Sequence, residues 1–481
     1  MMKMIKESQL WRLYLFLNAK IDPGLDYLHR KINSDRSVKI TFIQGSMSFL
    51  LFSFILKGFH KWCDFLSGHG KKSALFSSNI LLKAFRTIDN YLVIVPFCYL
   101  FLDYGFRNFS ALSMISNLWD ELALLSFFMY FALRPLFANK EKARYNEIDH
   151  LIVLFMLLGI GLFFFVSPEM NVAIDGYRAV YQHMLWYFVL RGLIRQDNRH
   201  LVYKTIIFQG LFLGLHSLYQ VLARVPMPGN WVDSTEAVTI RVFSIIGSPN
   251  ILAAVFILFI PLMMALALVE EKKEFRFISA LTTILMFVGL LFTYSRQAYL
   301  ALIGAFGLFL IWYYPKTIKY FIVLLGLMLV TFRSVADRIF YLFTPEYFER
   351  SQVGGRVLRY QHALELFQEN PLMGRGLGRF GGAVATHYNL TPFYVDSYYL
   401  KTLVEMGLTG LLYLFFLWAN SLYKIIRIME SQACKKNMLL LVGIAVGIVA
   451  VILQNAVENV FEVPMMLAYF WGFVALALSY E

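Results

Sequence analysis

Long stretches without charge, broken at intervals by short polar connections, dominate the chain. Apolar runs bounded by charged residues or by Pro and Gly fall at about 90–105, 118–137, 150–167, 175–190, 202–223, 248–269, 277–293, 297–313, 319–332, 397–420, 437–454 and 464–480. A helix that crosses a bilayer needs roughly 20 such residues, so the longer runs suffice alone and the shorter ones borrow their flanks. The pattern predicts an all-α polytopic membrane protein with about 12 transmembrane helices and one large extracytoplasmic loop containing short helices. One more apolar run, Ile40–Leu56, stands ahead of these behind a basic leader. Four regions follow: 1–89, the leader with its accessory hydrophobic segment; 90–332, an N-terminal transmembrane helix bundle; 333–396, the large loop; and 397–481, the C-terminal transmembrane helices.

Composition sharpens this picture. Residues AVILMFWYC make up 59% of the 481 positions and charged residues only 16%, with a mean hydropathy of +0.59. Soluble domains carry about 25% charge, and one water-facing globule could not hide so much apolar surface. The net charge of +13 would suit a nucleic-acid partner, but its distribution follows the positive-inside rule. Lys140, Lys142 and Arg144 share one connection, and Arg191, Arg195, Arg199 and Lys204 another; Lys272, Lys273 and Arg276, then Lys316 and Lys319, then Lys424, Arg427, Lys435 and Lys436 follow in alternation. These connections are expected in the cytoplasm and 224–247, 294–296, 333–396 and 455–463 outside; no nucleic acid is expected as a partner. The leader breaks the parity, because Lys3, Lys6, Arg12, Lys20, Arg30, Lys31, Arg36 and Lys39 would lie outside if Ile40–Leu56 crossed. Either an interfacial helix or a second crossing near 73–88 restores it. No cleavage site of small residues follows Leu13–Leu17, so no signal peptide is expected. Cys63, Cys98 and Cys434 are too scattered for a zinc site or a disulfide framework.

The residues with the most chemical content are arginines on the expected outer side. Arg241 opens R-V-F-S-I-I-G-S-P-N, and Arg296 lies in T-Y-S-R-Q, between two apolar runs too close for a solvated loop. Snorkelling explains many charges at span ends, but Arg296 sits among Thr293, Tyr294, Ser295 and Gln297, and intramembrane charges are commonly paired or functional. The planar guanidinium fork is suited to phosphate. In the large loop, Val357, Tyr360, Leu364 and Phe367 recur at helical spacing, which predicts an amphipathic helix over 355–369 ended by Asn370-Pro371, with Arg356 and Arg359 on one face. Gly376, Gly378 and Gly381 in G-R-G-L-G-R-F-G-G read either as a turn after Pro371 or as a backbone nest for an anion; no βαβ unit surrounds them, so a dinucleotide site is not expected. His362, His387 and Asp396 are the acid–base groups of the loop. Glu405, inside the following span, is expected to pair with an arginine, and Glu458 and Glu462 read as ordinary outer-loop charges. No metal-ligand cluster, Walker loop, G-x-S-x-G or H-E-x-x-H is present, and no metal or cofactor is expected.

Four segments in order carry a family resemblance: R-x-F-S…G-S-P-N (Arg241–Asn250), T-Y-S-R (Thr293–Arg296), R-x-x-x-Y-x-x-A-L…N-P-L-M-G-R-G-L-G (Arg356–Gly378) and D-S-Y-Y-L-x-x-L-V-E-M-G-L-T-G (Asp396–Gly410). Over residues 150–480 the chain resembles the O-antigen ligase and polymerase superfamily. The resemblance implies a glycosyltransferase acting on undecaprenyl-diphosphate-linked oligosaccharide at the outer face of the bacterial plasma membrane, with an acceptor glycan as second substrate and other wall-polymer assembly proteins as partners. It assigns diphosphate binding to Arg241 and Arg296, assisted by Arg356, with Glu405 and Arg359 supporting. Ligases of the family hold a histidine just before the Tyr-Leu of the last segment, where this chain has Asp396; the nearest histidine is His387. Asp396 is therefore the first choice for the base that activates the acceptor and His387 the second. The departure suits a polymerase, such as one making teichuronic acid or another exopolysaccharide. The alternatives are a ligase with a different acceptor, a lipid-linked glycan flippase, and a scaffold in a wall-polymer assembly complex.

Overall fold

Each of the twelve apolar runs forms helix, and most of these helices end in the polar connections between runs. The computed structural model describes residues 87–136, 146–228, 240–353 and 355–481, with Gly58, Lys61, Trp62, Asp64, Phe65 and Phe85 ahead of them. The chain divides into two units, 1–68 and 69–481. In the first, the rings of Trp62 and Phe65 stack; the second carries the bundle. The leader, Ile40–Leu56 and most of the 73–88 segment lie outside the described residues.

The bundle runs α1 (Tyr99–Asn108), α2 (Trp119–Leu133), α3 (Glu147–Phe165), α4 (Met170–Tyr181), α5 (Leu185–Leu193), α6 (Arg199–Leu222), α7 (Pro249–Val269), α8 (Lys273–Thr293), α9 (Arg296–Tyr313) and α10 (Ile318–Thr331). Residues 333–396 hold α11 (Arg333–Phe340), α12 (Pro345–Val353), α13 (Arg356–Glu369) and α14 (Ala383–His387), and the chain closes with α15 (Tyr398–Ser431), α16 (Lys435–Gln454) and α17 (Pro464–Leu478). Among the described residues there is helix and no strand. The helix foreseen over 355–369 is α13, which stops at Glu369 ahead of Asn370-Pro371.

Among the described residues, seven helices, α3, α6, α7, α8, α9, α15 and α16, are long and apolar enough to cross a membrane. The other apolar runs give shorter or broken helices. The run at 175–190 is divided by a single 3-10 turn at Gln182–Met184, and Pro315–Thr331 meets Val335–Phe343 at 104°. The chain is thus a multi-pass membrane protein built from apolar helices of unequal length.

Helix α7 is the axis of the bundle. It is apolar on every face and buried on almost every face, as expected of a helix surrounded by others rather than by lipid. Helix α16 reaches it through Gly443 and Gly447, spaced G-x-x-x-G, because without side chains the backbones can approach closely. A methyl at Gly443 would lie 2.6 Å from the Pro261 carbonyl oxygen, and one at Gly447 would meet that of Leu258. The same spacing recurs in α6, where Gly210 and Gly214 face Met286 and Leu285 of α8. Gly447→Leu should therefore lower stability by about 1–3 kcal/mol through overpacking, read as a lower unfolding midpoint in detergent; an unchanged midpoint would show that α16 does not pack this tightly.

Candidate active site

The carboxyl end of α8 organises one end of the bundle. A helix leaves its last four carbonyls without partners, and here other segments supply them. Val242 N–H donates to Phe292 O at 3.0 Å, Arg241 Nε to Thr293 O at 2.8 Å, and Arg338 Nε to Tyr294 O at 2.8 Å. Tyr294 takes a left-handed conformation (φ 51°), turning the chain at once into α9 with Arg296 as its first residue. The Arg241 segment is held from its other side by Gln220, whose Oε1 accepts from Phe243 N at 3.0 Å and Ser244 N at 2.8 Å. Thr-Tyr-Ser-Arg is thus a helix–turn–helix corner, and Arg241 is a cation placed at a helix carboxyl terminus, where the dipole favours it.

Around this corner the polar groups form one connected network. Arg241 Nη2 donates to Asn250 Oδ1 at 3.0 Å, and Asn250 Nδ2 to Glu458 Oε2 at 3.0 Å. The same carboxylate oxygen accepts from Gln297 Nε2 at 2.7 Å and lies 3.6 Å from Arg356 Nη2. Arg356 Nε continues to Asp396 Oδ2 at 3.3 Å, which also receives Arg359 Nη1 at 3.2 Å. Tyr360 adds a hydrogen bond from its hydroxyl to Asp396 O at 2.7 Å. Arg296 lies over the rings of Tyr341 and Tyr347, 5.6 and 5.4 Å from their centroids, and its Nη1 approaches Arg338 O at 3.5 Å. Helices α7, α9, α13 and α15 all begin here, at Pro249, Arg296, Arg356 and Tyr398, so four amino-terminal ends and several guanidiniums converge. That combination favours an anion.

Burial shapes the charges. Arg241 is only 7% exposed, and burial lowers its pKa to about 10, with Glu458 opposing and the nearby charges of Arg296 and Arg356 adding to the fall; it remains a cation at neutral pH. Burial also works against the charge of Arg356, but Asp396 and Glu458 more than offset it and hold it above the usual arginine value. Burial pushes the Glu458 carboxyl up; Arg356 opposes this and the Asp396 charge adds to it.

A second, buried cluster fixes the glycine-rich segment. Lys401 is 2% and Glu405 1% exposed, and Lys401 Nζ donates to Glu405 Oε2 at 2.8 Å and lies 3.5 Å from Glu462 Oε2. The other oxygens of the two carboxylates accept from Phe380 N at 3.0 Å and Ala383 N at 2.7 Å. Helix α15 breaks at Gly407 (φ 65°), and the break exchanges four backbone hydrogen bonds with the Pro371–Gly376 strand of loop: Arg375 N to Val404 O, Gly376 N to Glu405 O, Leu408 N to Pro371 O and Thr409 N to Leu372 O. Lys401→Met would leave two carboxylates buried without a cation, so it should cost about 3–5 kcal/mol, read as a fall in unfolding midpoint. Lys401→Met with Glu405→Gln should regain part of it. An unaltered midpoint in the single variant would remove this cluster from the stability of the loop.

The structure thus brings Arg241, Arg296, Arg356, Arg359 and Asp396 to one place. Two expectations are corrected. Glu405 pairs with Lys401 one helical turn away, not with an arginine, because that partner is already on its own face. Glu458 and Glu462 are not ordinary loop charges: each is folded inward as the acceptor of one cluster. The glycines form a turn; Gly374, Gly376, Gly378 and Gly381 all have positive φ and pack closely on protein atoms, Gly376 on Ser167 and Gly378 on Gly176. Arg375 and Arg379 pair with Glu369 and Glu169, at 3.4 and 3.2 Å. His387, exposed at the end of α14, meets Tyr388 edge-on at 5.0 Å, and Tyr388 bonds Asp175 of α4 at 3.0 Å. His362 lies 3.6 Å from Glu365 on α13. Gln297, Asn250 and Glu458 were missed in sequence, although Gln297 and Asn250 lie inside the segments singled out for their arginines.

In a comparison with protein families, residues 281–415 fit the family described as O-antigen ligase. The matched stretch takes in the α8–α9 corner, Arg356, Asp396 and Glu405, and stops short of Arg241 on one side and Glu458 on the other. A comparison with curated proteins finds no match.

Proposed function

We propose that this member of the O-antigen ligase and polymerase superfamily polymerises repeat units of a cell-surface polysaccharide, using undecaprenyl-diphosphate-linked glycan as donor at the outer face of the bacterial plasma membrane. The family match supports the broader role, ligase- or polymerase-type glycan transfer with lipid-linked and acceptor substrates. The observation that carries the finer reading is the convergence of Arg241, Arg296 and Arg356 on one end of the bundle, held by Glu458 and Asp396. In this reading the apolar helices make about twelve crossings and residues 333–396 lie outside.

The chemistry follows from the charges. The bond from the acceptor oxygen to the donor anomeric carbon forms as the bond from that carbon to the diphosphate oxygen breaks. Undecaprenyl diphosphate leaves with the electron pair, and the guanidiniums stabilise the charge that grows on it. The acceptor hydroxyl proton passes to Asp396, with His387 the second choice. Glu458 keeps Arg356 and, through Asn250, Arg241 oriented before donor binds. Direct displacement inverts the anomeric centre. An aspartate at the position of the ligase histidine favours polymerisation over transfer to an unlike acceptor.

Liposomes containing the full chain and lipid-linked repeat units alone provide the test. A ladder of longer glycans with inverted linkage is expected. Transfer only when a different acceptor is added would make the protein a ligase, and lipid movement without transfer would make it a flippase.

A further inference from the structure

The opposite end of the bundle carries a second constellation that glycan transfer does not use. Helix α7 runs from Asn250 in the arginine network to Leu266 near its far end, and its 21 residues span about 30 Å at 1.5 Å per residue. At that far end, α6, α7, α8 and α16 border an open cavity of about 290 Å³ whose lining includes Lys204, Glu270, Lys272, Phe275, Ser279 and Lys436.

Three ammonium groups face one carboxylate there, and the carboxylate is already engaged. Glu270 Oε1 accepts from Glu271 N at 3.1 Å and Lys272 N at 3.4 Å, and Oε2 lies 3.7 Å from Lys436 Nζ. Lys204 and Lys272 have no ion-pair partner among the described residues; Lys204 Nζ sits 5.4 Å from the centre of the Phe275 ring. Ser279, also in the lining, is 1% exposed, and its buried hydroxyl makes no hydrogen bond among the described residues. A serine in a helix can return its hydroxyl to a carbonyl of the preceding turn, as Thr283 does to Ser279 O at 2.8 Å. Ser279 does not, and a buried unpaired hydroxyl is costly.

We propose that this cavity binds a phosphate-bearing anion, either the headgroup of an acidic membrane lipid or free phosphate. The Ser279 hydroxyl, free to rotate because it is unpaired, turns to donate to a phosphate oxygen, and Lys204 and Lys272 neutralise the charge, lysine acting as a point charge for phosphate. Phe275, Ile207 and Leu266 provide the apolar wall along which the glycerol and first methylenes of a lipid would lie.

The test is lipid and phosphate binding by the full chain in zwitterionic detergent, with no transfer assay involved, so it stands apart from the reading of the arginine site. Native mass spectrometry with phosphatidylglycerol and phosphatidylcholine should show saturable retention of the acidic lipid alone. The variant Lys204→Gln/Lys272→Gln should weaken it about tenfold, and Ser279→Ala, which removes one oxygen without disturbing packing, about fivefold. Lys319→Gln, a lysine outside the cavity, should have no effect. Thermal stabilisation that saturates with sodium phosphate beyond sodium chloride, is lost in the same variants and occurs without preference for phosphatidylglycerol would identify the ligand as the free anion. Equal binding of both lipids with no response to phosphate, or variants that bind like the parent while remaining folded, would overturn the proposal.

Discussion

Arg296→Ala should reduce glycan transfer by about 10²–10³-fold while leaving the chain folded. This range is what removal of one preorganised donor to developing charge costs in enzymes that stabilise an oxyanion. Arg296 is the first residue of α9, its guanidinium lies against the rings of Tyr341 and Tyr347, and its Nη1 approaches Arg338 O at a long 3.5 Å. Cation–π contacts of this kind contribute about 0.5–2 kcal/mol, so the fold should tolerate the change. Arg241 is a poorer first target, because it also caps α8 at Thr293 O and bonds Asn250, and its loss would mix folding with chemistry. Arg296→Lys keeps the charge but not the planar fork and should recover about tenfold of the lost rate. In the liposome assay the defect should appear in kcat as well as KM, since the diphosphate charge is greatest as it departs. Full ladders from Arg296→Ala would remove this arginine from diphosphate binding.

The parts of this site legible in sequence are those whose residue types break a strong background rule. An arginine between two apolar runs stands out because charge there is costly, and Arg241, Arg296 and Arg356 could be gathered from that contrast together with the order of the family segments. Glu458 could not. In A-V-E-N-V it occupies a short polar connection where a carboxylate costs nothing, and only the folded return of α16 onto the start of α7 shows that it enters the network through Asn250 and Gln297. The Lys401–Glu405 pair stood in the sequence although Glu405 was expected to pair with an arginine: K-T-L-V-E puts the two charges on one face of α15 four residues apart. The glycine run showed that tight backbone was required, but whether it formed a nest or a turn depended on which backbone it packed against, and that was set by α3, α4 and α15. Helix number was the least legible feature, because a run of 12–16 apolar residues serves equally as a span with flanks, a buried short helix or one limb of a bent pair, and hydropathy does not separate these.

Asp396→Asn and Glu458→Gln should both depress transfer, but in different ways, and the difference separates the base from the group that positions an arginine. Both carboxylates touch Arg356. Asp396 also holds Arg359, so Asn at that position loses proton acceptance and two charge partners together, and transfer should fall by about 10³-fold at every pH, within the 10²–10⁴-fold usual for general acid–base groups. Glu458→Gln keeps an oxygen that can accept from Asn250 or Gln297 and loses only the charge facing Arg356, so the fall at neutral pH should be about tenfold. The pH profile carries the sharper distinction. Burial, with the Asp396 charge in support and Arg356 opposing, raises the Glu458 carboxyl above its usual value, ordinarily about 4.3 for a glutamate. If its ionised form is what orients Arg356, activity must climb as pH rises through that elevated value and be lost as pH falls below it. The acid limb of kcat/KM should therefore lie above the usual carboxylate range in the parent and disappear in Glu458→Gln, leaving a lower but flatter profile. It should persist in whatever activity Asp396→Asn retains, moved to lower pH because the Asp396 charge no longer raises Glu458. A parent-like limb in Glu458→Gln would deny Glu458 its positioning role, and near-parental rates in Asp396→Asn would shift the base to His387, whose replacement by Ala would then be the deficient variant.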